Sequence, residues 1–537
     1  MLRRFPAILA LIIGLSAAQL LPFFELVQHS HRGAEYAAGI WAMPAWGWAN
    51  FIVPLFHCIQ SDIGTFYQPD QYWTTSYYPG VGIVALAVLA FSRWREKRVW
   101  LLGTLALLSL ILALGDRGYL YHWLRAVFPL GAMRFAIKFV LLAIFLLPLL
   151  AASAVSEQAP RTENSPANVV RWTATIWLCL VGLIGYLVWS AGQHPHQFED
   201  PSATLQSGLT RAIFLTLILG AFLLLGRAKK AKRQLLWGMC LLLLVWADVM
   251  THAPRQNPTV DSAIYAPGLP DLQRLDPKPT PGQSRALLSR EALSRFYATG
   301  FSNLVATYYG QRLGLFANCN LLERIPKVDG FFSLYLREQR ELHFQIYDEN
   351  KQLHPHVADF LSACQVTSPT NVTAWEARPT YLPMITAGQK PVLRDPKNIL
   401  NEMLAPGFDP EHEVYLPLAA QTTLTATNAA KARATLNEFT AHHLVLEVEA
   451  AQPTLVVISQ AFYPAWKAYV DRKPTRLWQA NHAFQALEVP AGRHAVRLAY
   501  EDHRFYVGAV VSAITLMACG IAWVRLRKPE RTQATRH

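Results

Sequence analysis

Two cations four residues apart mark the first place where this chain could do chemistry. Arg134 and Lys138 lie in FPLGAMRFAIKFV, directly before a long apolar run. Residues four apart share one face of a helix, so both side chains would point the same way. Such a pair can hold a phosphate or diphosphate, and arginine binds it through two parallel hydrogen bonds. The alternative is that both side chains extend to lipid headgroups.

Acidic residues stand at the ends of two other apolar runs. Glu25 closes the first run, in QLLPFFELVQHSHRGAEY, where Arg32 follows two histidines. This is either a polar site at the membrane face or a solvated helix end. Asp248 closes a later run, where an acid is costly unless it is exposed or paired. For Asp248 an ion pair or a structural cap is the alternative to a role in a polar site.

Histidines and cysteines do not have the spacing of a metal site. The histidines occur as HSH, HPH, HPH and HH, without the spacing of an HExxH motif. The six cysteines include no CxxC pair. We therefore predict no metal-binding residues and no cofactor, and the sequence leaves open whether any activity depends on a metal ion. Cys319 and Cys364 fall in a segment that we place outside the cell membrane, where a disulfide between them could form.

The composition is that of a polytopic membrane protein. Of the 537 residues, 52% are hydrophobic and only 16% are charged. Eight runs approach the roughly 20 apolar residues that cross a bilayer. They lie near 5–25, 77–92, 99–115, 136–155, 171–191, 209–226, 235–249 and 505–524. The first run could instead be a signal peptide, although it exceeds the roughly 7–15 apolar residues of a signal core.

Basic residues in alternate connecting segments predict the orientation. Five such segments hold 18 Lys and Arg residues against 4 Asp and Glu residues, which accounts for the net charge of +13. Because Lys and Arg accumulate on the cytoplasmic side, we expect both termini in the cytoplasm and a bacterial inner-membrane location. The same placement argues against a nucleic-acid partner. The segments 26–76, 116–135, 192–208 and 250–504 would then lie outside.

The large outer segment divides by its patterns. Residues 435–504 contain short alternating runs such as HHLVLEVEA, separated by the turn signals DRKP, NH and PAG. This pattern is typical of an antiparallel β-sandwich. Residues 250–434 mix helical and extended patterns, which indicates an α+β region. The predicted organisation is a seven-span bundle (1–249), these two outer regions, a last span (505–524) and a basic tail (525–537).

Blocks along nearly the whole chain resemble the bacterial YfhO membrane-protein family. The resemblance lies in AAQLLPFFELVQHSHRG, SYYPGVGIVALAVLAF, LALGDRGYLYHWLRAVFPLGAMRFAIKF, ADVMTHAPRQNP and the C-terminal VVISQAFYPAWKAYVDRKPTRLWQANHAFQALEVPAGRHAVRLAYEDHRFYVGAVVS. Two positions depart from the family wording: Ala465 and Arg472 stand where glycine is usual. The C-terminal block is the most specific.

The family is similar to GT-C-type glycosyltransferases, which take a sugar from a polyprenyl-phosphate carrier. The resemblance implies transfer to a surface glycan or teichoic-acid-type acceptor, with Arg32, Arg134 and Lys138 holding the carrier phosphate. The acidic first outer loop of such enzymes has no counterpart here, so the catalytic residue is not assigned. The chain could then be one half of a split gene, with a partner chain supplying further N-terminal spans, a sequence with a misplaced start, or a truncated family member. The alternatives are a non-catalytic glycan-binding or assembly subunit and, less favoured, a transporter of lipid-linked sugars.

The β-rich stretch FYPAWKAYVDRKP offers candidate glycan-binding residues. Tyr463 and Trp466 have flat rings that could stack on a sugar, and Asp471 stands in the turn with Arg472. The alternative is that Trp466 belongs to the core of the sandwich.

Overall fold

The computed structural model describes residues 4–31, 41–61, 64–74, 76–92, 96–127, 135–156, 166–196, 199–254, 256–298, 301, 303–348, 350 and 353–526. The chain divides into two compact units. Residues 33–259 form what we call the helical unit; residues 1–32 and 260–537 form the composite unit. The first apolar segment is thus grouped with the C-terminal half, rather than with the bundle of residues 1–249 expected from the sequence.

The N-terminal half consists mainly of helices. The first two, α1 (Arg4–Leu15) and α2 (Ala17–His29), are bent by 77° relative to each other and belong to the composite unit. The hairpin β1 (Ile59–Gln60) and β2 (Phe66–Tyr67) opens the helical unit. Its helices are α3 (Val81–Ala90), α4 (Lys97–Ala113), α5 (Leu120–Val127), α6 (Val140–Ser156), α7 (Pro166–Gln193), α8 (Pro201–Arg227) and α9 (Ala231–Met250).

Among the described residues, five helices are long and apolar enough to cross a membrane. They are Ala136–Ser156, Ala167–Gln193, Pro201–Arg227, Ala231–Met250 and His503–Arg525. The bent pair α1/α2 would be a sixth if it counts as one span. Helices α3 and α4 have 10 and 17 residues, short of the roughly 20 that cross a bilayer. The eight-span count therefore stays a prediction.

The composite unit continues with helices and strands in alternation. Its elements before the C-terminal sheets are α10 (Pro270–Gln273), β3 (Arg285–Leu287), α11 (Arg290–Ala298), α12 (Leu304–Leu313), α13 (Asn320–Glu323), α14 (Arg337–Ile346), α15 (Pro355–Phe360), β4 (Ala363–Thr367), β5 (Trp375–Ala377), β6 (Ile385–Ala387), β7 (Lys390–Arg394), α16 (Pro396–Met403) and β8 (Glu413–Pro417). The remaining elements are β9 (Ala432–Phe439), β10 (His443–Ala450), β11 (Thr454–Ile458), β12 (Trp466–Val470), β13 (Lys473–Thr475), β14 (Leu477–Ala480), β15 (Phe484–Val489), β16 (Gly492–Tyr500) and α17 (His503–Leu526).

Two antiparallel sheets make up what we call the two-sheet module. One has the order β13-β12-β16-β10-β9 and the other the order β14-β15-β11-β6. Their side chains share one apolar cluster, to which β10 contributes Leu444, Leu446 and Val448, all fully buried. The alternation in HHLVLEVEA therefore identifies the buried face of β10 correctly. Strand β6 joins this module although it precedes the predicted boundary at residue 435.

The four-stranded sheet is buried on both faces. Along β11, Val456 and Ile458 pack in the cluster between the sheets, whereas Leu455 and Val457 pack in a second cluster with α14, α15 and α16. This explains why the sequence of β11 is a continuous apolar run and does not alternate between apolar and polar residues.

Helix α17 packs closely against the end of α1 and the start of α2 through small residues. The Oγ of Ser512 donates to the carbonyl oxygen of Gly14 at 3.1 Å and accepts from the N–H of Ala18, also at 3.1 Å. At Gly508, a Cβ atom would lie 2.3 Å from the carbonyl oxygen of Ala17. Small residues of this kind let two membrane helices approach each other.

Leucine at position 508 is therefore expected to force α17 away from α2. Overpacking of this kind costs roughly 1–3 kcal/mol, so Gly508→Leu should lower the unfolding temperature of the protein in nanodiscs. The matched control is Gly520→Leu on the same helix, where no described atom lies within 4 Å of the added Cβ. Equal effects of the two variants would show that this contact does not hold the helices together.

Candidate functional site

Lys138 lies over a group of aromatic rings in the helical unit. Its Nζ is 4.5 Å from the ring centroid of Trp73 and 5.2 Å from that of Phe135. Phe135 stacks on Trp41 with centroids 4.5 Å apart. We call Trp41, Trp73, Phe135 and Lys138 the aromatic platform. In the described part of the chain Lys138 forms no ion pair with a carboxylate, and its ammonium group lies against the ring faces.

The platform has a surface on which a ligand could lie. The side chain of Trp73 is 50% exposed, and that of its neighbour Tyr72 is 61% exposed. The short 3₁₀ helix Ala136–Phe139, which directly precedes α6, holds Lys138 at this place. The other two predicted phosphate-binding residues, Arg32 and Arg134, lie outside the described residues.

Asp248 is fully buried near the end of α9, and both of its carboxylate oxygens have partners within the protein. Its carboxylate accepts hydrogen bonds from the Tyr78 hydroxyl at 2.9 Å and from the N–H of Val81 at 2.9 Å. Arg211 of α8 forms an ion pair with it, with Nη1 2.5 Å from Oδ1. Asp248 therefore caps the first turn of α3 and ties three helices together.

Sequence reasoning missed Arg211. It lies within α8, is 2% exposed and also donates from Nη2 to the Thr251 hydroxyl at 2.9 Å. The sequence does contain a signal for it, since an arginine inside an apolar run is expected to face a buried partner. Next to this pair, burial and then the charge of Arg211 lower the pKa of His252 to about 3. His252 is thus neutral and bonds to the Ser76 hydroxyl at 2.7 Å.

A histidine and a glutamate form a second buried pair in the helical unit. The Nδ1 of His57 lies 2.7 Å from Oε2 of Glu199, and their side chains are 8% and 1% exposed. The N–H of His196 also donates to Glu199, at 3.0 Å. Burial alone would raise the pKa of Glu199, but these hydrogen bonds outweigh it and hold the pKa below its usual value. The pair joins the loop before α3 to the loop between α7 and α8.

Glu25 and Asp471 have partners within the composite unit. Glu25 of α2 lies 3.7 Å, Oε1 to Nε, from Arg504 at the start of α17. Asp471 has a φ of 48° in the turn between β12 and β13, as expected for a turn residue. Its side chain accepts from the N–H of Ala495 at 3.0 Å and lies 2.6 Å from Nδ1 of His494. These hydrogen bonds, His494 first, lower the pKa of Asp471.

Tyr463 and Trp466 are buried in the two-sheet module. They are 8% and 7% exposed and belong to the apolar cluster between the sheets. Trp466 contacts the ring of Tyr500 edge-on, with centroids 5.6 Å apart. What remains accessible of the two rings lines a mainly apolar groove of about 420 Å³ beside Pro22 and Leu26 of α2. Stacking on a sugar requires an open ring face, which the core largely covers here.

The predicted disulfide is not formed in the structure. Cys319 and Cys364 are both free thiols, and Cys364 is fully buried in β4. Burial raises the pKa of both thiols above the ordinary value. Among the residues that the structure describes, no group of three or more His, Cys, Asp or Glu side chains is arranged to hold a metal ion.

A cavity of about 300 Å³ in the composite unit brings together polar groups that sequence reasoning did not connect. We call it the polar cavity. Its polar lining consists of Arg285, Lys327, Asp329, Gln339, Ser459 and Gln460, and Phe332, Tyr335 and Phe484 contribute rings. The Lys327 and Asp329 side chains, 0% and 4% exposed, pair at 3.3 Å. Burial raises the pKa of Asp329, and the Lys327 charge opposes that rise.

His343 also lines the polar cavity and should make the composite unit sensitive to acid. Burial, followed by the charges of Arg340 and Lys327, lowers its pKa from 6.5 to about 4. Between these values the unfolded chain binds a proton that the folded chain does not. Stability should therefore rise as the pH rises from about 4 to about 6.5.

The measurement is the urea midpoint of the full-length protein between pH 4 and 7.5, for wild type and His343→Gln. The variant should show a shallower dependence on pH in this window. The control, His412→Gln, removes a side chain that is 69% exposed and should leave the slope unchanged. An unchanged slope in His343→Gln would mean that another group causes the acid sensitivity.

One family model matches the chain. Residues 417–512 match the model described as "Bacterial membrane protein YfhO". The match covers β9 to β16 of the two-sheet module and the first part of α17. No curated protein and no solved structure matches the chain. The C-terminal part of the chain is thus similar to the YfhO family of bacterial membrane proteins.

Proposed function

We propose that this protein takes part in the transfer of a sugar from a polyprenyl-phosphate carrier to a surface glycan or teichoic-acid-type acceptor. The observation that carries the proposal is Lys138 on the aromatic platform. Its ammonium group has no carboxylate partner among the described residues, so it is available to a phosphate group. The exposed ring of Trp73 beside it offers a face to a sugar or an isoprenoid chain.

The proposal includes an orientation in the membrane. The bacterial inner membrane would hold the spans with both termini in the cytoplasm, which the basic alternate segments support. The platform and residues 250–504 would then lie outside, and the two-sheet module would be the predicted β-sandwich. Cations at this face would stabilise the carrier phosphate as it leaves the sugar.

A second candidate is a non-catalytic glycan-binding or assembly subunit. The contacts of Asp248 and Glu25, the two acids singled out from the sequence, favour this candidate. Asp248 is fully bound by Arg211, Tyr78 and the α3 terminus, and Glu25 faces Arg504. The Asp248 carboxylate is therefore not free to act as a general base, so a transferase function requires another group for that step.

Replacement of Lys138 tests the role of the platform. A strain that lacks the gene would be complemented with wild type, Lys138→Gln, Lys138→Arg or the control Lys230→Gln. Lys230 is an exposed residue of the loop between α8 and α9. The sugar content of the surface glycan would be measured by mass spectrometry at equal protein levels.

Removal of a group that stabilises the leaving phosphate costs roughly 10²–10³-fold in rate, so Lys138→Gln should nearly abolish complementation. Lys138→Arg should retain most of it, because the charge is kept, and Lys230→Gln should behave as wild type. Full complementation by Lys138→Gln would remove the support for transfer and leave the binding-subunit candidate.

A further inference from the structure

We propose that the loop of residues 330–335 in the composite unit inserts two exposed phenylalanine side chains into the surface of the phospholipid bilayer. We call it the phenylalanine loop. The proposal rests on the position of the loop beside the apolar helices of the same unit, and it does not depend on sugar transfer or on the aromatic platform.

A pair of charged residues marks where the apolar helices of the composite unit leave the bilayer. Helix α17 is long and apolar enough to cross a membrane, and it begins at His503. The Nε of Arg504, in its first turn, lies 3.7 Å from Oε1 of Glu25 on α2. Because charged side chains are costly in the hydrocarbon core, this pair places the boundary of the bilayer close to Glu25.

The end of the phenylalanine loop is bonded to α2 near this boundary. Gln28 follows Glu25 by three residues, which is about 4.5 Å along the helix axis. Its carbonyl oxygen accepts a hydrogen bond from Nη2 of Arg337 at 3.0 Å. The N–H of His31 donates to the carbonyl oxygen of Tyr335 at 3.1 Å. These bonds hold the loop beside the place where α2 leaves the bilayer.

Hydrogen bonds also hold the backbone of the phenylalanine loop. The side-chain amide of Asn318 donates to the carbonyl oxygen of Phe331 and accepts from its N–H, each at 3.0 Å. The Tyr335 hydroxyl donates to the carbonyl oxygen of Gly330 at 2.5 Å. The loop is therefore closed and its backbone is fixed, whereas the ring of Phe331 stays 56% exposed.

The exposed rings form a continuous apolar patch. Phe332 is 57% exposed, and its ring centroid lies 5.3 Å from that of Tyr335. The guanidinium group of Arg340 lies 4.8 Å from the Tyr335 centroid and 4.0 Å from that of Phe344, which is 53% exposed. A patch of several exposed rings marks a surface that contacts a partner or a membrane.

The charges around the patch favour a phospholipid surface. Arg324 and Arg337 are exposed. The one acidic residue between them in the sequence, Asp329, is 4% exposed and pairs with Lys327 at 3.3 Å. Phospholipids offer phosphate groups to arginine and an apolar layer to aromatic rings. Since the bilayer surface already lies beside α2 and α17, the bilayer is the partner that this patch meets.

The test uses the full-length protein in liposomes of phosphatidylglycerol and phosphatidylethanolamine. The photoreactive analogue p-benzoylphenylalanine replaces Phe331, so that light couples this side chain to the molecule that it touches. Intact-protein mass spectrometry should show a mass increase of one phospholipid. The positive control carries the analogue at Ile514, which is a 57% exposed residue of α17.

The control for exposure to water carries the analogue at Gln452, an exposed residue in the turn after β10. The carbonyl oxygen of His442, just before β10, accepts a hydrogen bond from the N–H of Tyr500 near the start of α17. The other end of this eight-residue strand lies about 23 Å away, so position 452 should give no lipid adduct.

A second pair of variants tests whether the apolar character of the loop matters. With the analogue at position 332, Phe331→Glu should abolish the lipid adduct, because a carboxylate is costly in the hydrocarbon core. Phe331→Leu should keep it.

Three results would overturn the proposal. The first is a lipid adduct at position 514 but none at position 331. The second is a covalent link between two copies of the chain through position 331, which would make the patch a protein interface. The third is the absence of lipid adducts at position 514, which would show that α17 does not lie in the bilayer.

Discussion

Replacement of Arg211 by leucine is expected to destabilise the helical unit by about 3–5 kcal/mol. The change leaves the Asp248 carboxylate, 0% exposed, without its cationic partner. Removal of one member of a buried ion pair costs about this much because an uncompensated charge remains buried. The Tyr78 hydroxyl and the N–H of Val81 still bind Asp248, but neither supplies a charge.

Thermal unfolding of the purified protein in nanodiscs measures this effect. Arg227→Leu is the matched control, since Arg227 is an exposed residue at the other end of α8. The double variant Arg211→Leu with Asp248→Leu should recover most of the stability, because it removes both charges together. If Arg211→Leu unfolds at the wild-type temperature, the pair does not hold α8, α9 and the start of α3 together.

Replacement of Trp466 by alanine is expected to destabilise the two-sheet module by about 3–5 kcal/mol. Trp466 is 7% exposed, and the change leaves a large void in the cluster between the sheets. Loss of a buried tryptophan or phenylalanine side chain has a cost of about this size. Trp466→Phe keeps most of the packing and should cost much less.

Protease resistance and thermal unfolding of full-length variants would report this loss. The control, Trp123→Ala, removes a side chain that is 71% exposed and should have little effect. A stable Trp466→Ala protein that has lost glycan binding would contradict the core role. It would restore the sugar-stacking interpretation drawn from the sequence.

The sequence predicts local patterns of the fold better than long-range partners. Alternation along β10 identifies its buried face, and the turn residue Asp471 stands where the DRKP signal predicts a turn. Strand β6 was missed because it has three residues, too few for a pattern of period two. The strand is defined by its pairing with β11, about 70 residues later in the chain, and not by its own composition.

The candidate sites also differ in how well the sequence alone predicts them. Lys138 could be found from the sequence because it stands at the start of an apolar run. The polar cavity could not, because Arg285, Lys327 and Gln460 come from separate segments that only the folded chain brings together. Trp466 shows a further limit. A tryptophan next to a turn looks the same in a sequence whether its ring is covered or open.

The most direct test of sugar transfer is an analysis of polyprenyl-phosphate-linked sugars from membranes of the source bacterium with and without the gene. Without the gene, one carrier-linked sugar should accumulate, and the same sugar should disappear from the surface glycan. A plasmid copy should restore both. An unchanged carrier pool together with an unchanged surface glycan would contradict a role in sugar transfer.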